Sequence, residues 1–159
     1  MTPEQEIIFD LLEAARALVK SSSEALDLLG SPPASADNFA AMTTIQRITT
    51  TALLKQFEQL EGTLHGLFRA ILRALGVRLK GLYPLDIANR MAELDVLDDP
   101  PRWVAIVKLR NNLAHDYPPE TGDRYERFLE AYASFAYMFD ATQRVERVIQ
   151  ERHLLDEEQ

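Results

Sequence analysis

Apolar residues recur at three- and four-residue steps along almost the whole chain, and that rhythm most restricts the fold. Ile8, Leu11, Leu12, Ala15, Leu18, Val19, Leu26 and Leu29 follow it first. Phe39, Met42, Ile45, Thr49, Leu53, Phe57, Leu60, Leu64, Leu67, Ile71 and Leu75 follow it next. Side chains so spaced share one face of a helix, so each run predicts an amphipathic helix. No segment alternates with period two, and no Asn-Gly or Asp-Gly turn separates β-rich runs, so no sheet is expected.

Punctuation divides the rhythm. Thr2-Pro3-Glu4-Gln5 opens a helix, with Thr2 and Gln5 as a capping box, and Gly30-Ser31-Pro32-Pro33 closes it. Ser35 or Asp37 can cap a second helix that runs to Leu75 and stops at Gly76, with the β-branched Thr49-Thr50-Thr51 as its soft point. Gly62 and Gly66 on that helix give another helix room to approach. His65 between them reads as a partly exposed helix histidine. Tyr83-Pro84-Leu85-Asp86 starts a short helix through about Leu94, and Asp98-Asp99-Pro100-Pro101 starts the next. After Pro118-Pro119, Thr121 or Asp123 can cap a last helix. It carries an aromatic stripe, Tyr125, Phe128, Tyr132, Phe135 and Phe139, that suits a core or a dimer seam. The expected fold is all-α: an antiparallel bundle of about five helices, with residues 1–159 as a single domain.

Composition narrows the function classes. Cysteine is absent, so disulfides and thiolate metal sites are excluded. The three histidines, His65, His115 and His153, are far apart and no HExxH spacing occurs, so neither a metal nor a cofactor is expected. No apolar run has the length of a membrane span, and the N-terminus carries acids where a signal peptide carries bases, which implies a cytoplasmic protein. The net charge of −8 argues against nucleic-acid binding by the whole surface. Residues 65–80, however, hold Arg69, Arg73, Arg78 and Lys80 and no acid.

The chemistry is concentrated in Leu109-Arg110-Asn111-Asn112-Leu113-Ala114-His115-Asp116-Tyr117, at the end of the helix that Pro100 opens. Asn111 and His115 are four apart, so the amide can lie one turn under the imidazole. Arg110 and Tyr117 are seven apart and line a second edge. Arg110 and His115 are five apart, about 140° around the cylinder, and diverge on a rigid helix. They converge if the helix frays at His115, which Pro118 favours, or if a second copy supplies the complementary pair. Alternatively these residues simply cap the helix, a cationic histidine facing the negative end of its dipole.

The pattern Arg-Asn-x-x-x-His-x-Tyr in a small all-helical chain resembles the signature of HEPN domains, and more narrowly that of HepT-type toxins paired with a minimal nucleotidyltransferase. The resemblance implies a homodimer whose two motifs face one cleft and cleave RNA without a metal. Arg110, Asn111 and His115 would be the catalytic residues. Tyr117 would be the site at which an MntA-like nucleotidyltransferase antitoxin adds AMP to silence the toxin. Arg69 and Arg73 are the candidate RNA contacts. HEPN proteins also include non-catalytic companion subunits of nucleotidyltransferases, which gives the alternative reading.

Overall fold

Helix ends in this chain are set by short-range capping. In the computed structural model, which describes residues 1–115 and 118–156, the Thr2 hydroxyl accepts from Gln5 N and the Gln5 side chain accepts from Thr2 N, starting α1 (Pro3–Leu29). Gly30, at φ 73°, ends it in a conformation that glycine adopts without a Cβ penalty.

The second expected helix is two. Ser35 caps α2 (Ala36–Ala40), the chain turns, and a second capping box between Thr43 and Gln46 starts α3 (Thr44–Ala74). The break falls before the threonine run, not within it. Thr49 and Thr50 donate their hydroxyls back to Ile45 O and Arg47 O, and the helix passes through. At its far end Val77 N donates to Leu72 O and Gly76 N to Arg73 O, a double bond pattern that satisfies the last carbonyls. α4 (Pro84–Glu93) and α5 (Pro100–His115) start at the predicted prolines. α6 (Thr121–Glu151) begins one residue past Glu120, which makes no side-chain cap. Thr121 and Asp123 are therefore inside the helix rather than capping it.

Pairwise contacts define the topology. Leu11 lies against Gly66, and Ser21 Oγ accepts from Gln56 Nε2 at 2.7 Å, so α1 and α3 are antiparallel. Phe68 meets Trp103 at 4.9 Å and Arg110 meets Glu61, so α5 also runs against α3. Phe57 meets Phe135 edge-on at 6.2 Å, and Arg16 binds Glu146 at 2.6 Å across to α6. α1 and α5 thus alternate in direction with α3 and α6, an all-α bundle with no strand among the described residues. Its core holds Trp103, Phe57, Phe68, Phe128 and Phe135, each fully buried. Of the aromatic stripe of α6, Phe128 and Phe135 are core, and Tyr125, Tyr132 and Phe139 are half-buried at its margin. Its tyrosines bond to connector carbonyls: Tyr125 to Pro33 O, Tyr132 to Gly30 O and Tyr137 to Asp99 O. No helix among the described residues is long and apolar enough to cross a membrane.

Candidate functional site

α5 remains helical through His115, its last residue, so the expected fraying does not reach the imidazole. Arg110 and His115 consequently point to different sides of one rigid helix. His115 is exposed at the bundle end, and Leu109, one residue before Arg110, is buried in the core.

Arg110 turns toward α3. Its Nε lies 3.5 Å from Glu61 Oε2, an ion pair rather than a short hydrogen bond, and its Nη1 donates to Asn111 Oδ1 at 3.4 Å. The Glu61 side chain is 4% exposed and the Arg110 side chain 40%. A buried carboxyl thus lies beside a guanidinium that still reaches solvent. Burial pushes the Glu61 carboxyl up to about 7, and Arg110 opposes that shift without cancelling it. Asn111 is exposed and its amide oxygen serves Arg110, so the amide holds the arginine.

His65 stands one turn along α3 from Glu61. Burial lowers its pKa, and the charges of Arg69 and Arg110 lower it further. Its Nδ1 is buried without a hydrogen-bond partner. Glu61, His65 and Arg69 are spaced four and four, one stripe of α3 that faces Arg110. That spacing was present in the sequence. What it lacked was any sign that Arg110, 49 positions after Glu61 in the chain, packs against it. Arg69 is half-buried on this stripe. Arg73 is exposed three turns beyond Glu61, roughly 18 Å along the helix by its rise, on the side away from His115. Tyr117 lies outside the described residues.

Two grooves open beside the end of α5. A cavity of about 590 Å³ runs between α1, α3 and α5, lined by Gly62, Thr63, Arg110, Leu113 and Ala114. Gly62 has open space where a side chain would be, so no helix crosses there; at Gly66 α1 does approach, 3.5 Å from an added Cβ to Leu11. The second cavity, about 680 Å³, shares Lys55, Glu58 and Leu113 with the first and continues to Phe39, Arg47, Pro118, Arg124 and Arg127. Among the described residues no three His, Asp or Glu side chains gather as metal ligands.

The chain matches no family model, no curated protein and no solved structure.

Proposed function

We propose that the protein is a cytoplasmic HEPN-type endoribonuclease toxin acting as a homodimer. The observation that carries this reading is Arg110: a solvent-reaching guanidinium held beside the buried Glu61 carboxyl, at the helix end that presents His115. An arginine that only capped its own helix would not be drawn to a buried carboxyl on another.

The chemistry follows from the residue types. The ribose 2′-hydroxyl attacks the adjacent phosphorus and the bond to the 5′-oxygen breaks, leaving a 2′,3′-cyclic phosphate and a 5′-hydroxyl. A proton leaves the 2′-oxygen and one reaches the 5′-oxygen; His115 handles one of these transfers. Arg110 stabilises the extra negative charge on the transition-state phosphate, and Asn111 holds its guanidinium in place. Because the two residues diverge on one helix, one chain supplies Arg110 and its partner His115. A minimal nucleotidyltransferase transfers AMP from ATP to the Tyr117 hydroxyl: the phenol oxygen bonds to the α-phosphorus, pyrophosphate leaves and the phenol proton is lost, and the added negative phosphate competes with the RNA phosphate.

His115→Ala and Arg110→Ala should each lower RNA cleavage by at least a hundredfold; the melting temperature of His115→Ala should stay near wild type, whereas that of Arg110→Ala should fall, because it leaves the buried Glu61 without its cation. Mixed after unfolding and refolding together, the two inactive variants should recover part of the activity, since a mixed dimer rebuilds one complete site. Undiminished cleavage by His115→Ala sinks the mechanism, and failure of the mixture sinks the composite site. A wild type that cleaves no RNA but binds a nucleotidyltransferase would favour the companion-subunit reading.

A further inference from the structure

Among the described residues, Arg47, Lys55, Arg124 and Arg127 line the larger groove with one acid, Glu58, in a chain of net charge −8. The two α6 arginines have partners of their own, so the cations open to a ligand are those of α3. Arg47 donates to the Thr44 hydroxyl at 3.2 Å and has no carboxylate in ion-pairing reach among the described residues, and Lys55 meets Glu58 only at 3.8 Å. Both side chains lie on exposed residues two turns apart on α3. Between them the floor is apolar, formed by Phe39, Leu54 and Leu113, and the volume of about 680 Å³ lies in the range of small-ligand sites. Cations at the rim over an apolar floor suit a ligand that is anionic along its backbone and has flat, uncharged faces.

We infer that this groove binds single-stranded RNA, with successive phosphates on Arg47 and Lys55 and a base against the apolar floor. The inference rests on the ribonuclease reading and deepens it by giving the strand a path to the α5 terminus. A single strand can turn its bases into such a groove, whereas a duplex keeps them paired and stacked. The groove also relocates the RNA contacts. Leu113, two residues before His115, is part of its lining, while Arg73 lies toward the opposite end of α3.

The experiment measures fluorescence anisotropy of a short labelled poly-uridine strand on full-length His115→Ala protein, which cannot degrade the probe under the ribonuclease reading. Arg47→Glu/Lys55→Glu should weaken binding at least tenfold at low salt. The neutral pair Arg47→Gln/Lys55→Gln should weaken it less, and should lower the slope of log affinity against log salt by about 1.4, two phosphate contacts at about 0.7 each. Arg73→Glu/Arg78→Glu, with the same charge change as the first pair, should bind like the parent. All these positions are exposed, so circular dichroism should be unchanged. Equal loss in the two reversal pairs, or none in the groove pair, overturns the inference, as does a parent that does not bind the strand. Dissociation of a dimer in the groove variants with RNA binding intact would assign the groove to a second copy and also overturn it. Binding through the groove by a wild type that cleaves nothing upholds the groove and removes the ribonuclease reading. Cleavage with the groove variants binding normally does the reverse.

Discussion

Glu61 is the residue on which pH dependence turns. Its carboxyl ionises at about 7 in the folded chain, against an ordinary value of 4.5, because burial costs more than Arg110 returns. As pH rises from 4.5 the unfolded chain gives up this proton first. The stability tied to a protonated Glu61 is thus complete below 4.5, declines from there and is lost by pH 7 and above. At 1.36 kcal/mol per unit the full swing is about 3 kcal/mol. His65 works in the opposite sense: its lowered pKa favours the neutral form, so its contribution is lost as pH falls below the ordinary histidine value of 6.5. Glu61→Gln isolates the carboxyl. Chemical denaturation at pH 5 and pH 8 should show the wild type losing up to about 3 kcal/mol relative to Glu61→Gln across that interval. Parallel stability curves for the two proteins would mean that the carboxyl is not buried as described.

At the scale of the element, capping chemistry set most of the boundaries, and the sequence displays it openly. Thr2 with Gln5, Ser35, Pro84 and Pro100 all stand where helices start. The break at 41–43 is masked in the sequence, although Thr43-x-x-Gln46 is the same capping box as Thr2-x-x-Gln5, because the apolar rhythm continues across it through Met42 and Ile45. Periodicity reports which face is apolar; it does not report whether the backbone between two turns is continuous. The glycines of α3 divide likewise. Both were expected to admit a neighbouring helix, but only Gly66 meets one. Gly62 faces open space inside a regular helix, so Gly62→Ala should stabilise the protein by about 0.5–1 kcal/mol through helix propensity. A lower denaturation midpoint in Gly62→Ala would show that the backbone at this groove needs its freedom.

For the whole molecule, the regulatory reading makes its own prediction. Under the proposed toxin reading, coexpression of the wild-type chain with a minimal nucleotidyltransferase should add the mass of AMP on Tyr117 and relieve growth arrest, and Tyr117→Phe should gain no such mass at that position. Neutralisation that persists with Tyr117→Phe removes the tyrosine from the mechanism. The sequence by itself determined that the chain is helical, where most of the helices begin, and that Arg110, Asn111 and His115 fall in the last turns of α5. Those properties depend on neighbours within one or two turns: apolar spacing, caps and prolines. Only the tertiary structure decided that Phe128 and Phe135 of the aromatic face of α6 are buried inside one chain, and that α3 runs beside the end of α5. It alone brought Glu61 under Arg110 and gathered Arg47, Lys55, Arg124 and Arg127 around one groove. These juxtapositions arise when four helices bury their apolar faces together, and packing of that kind joins positions tens of residues apart that no local signal connects.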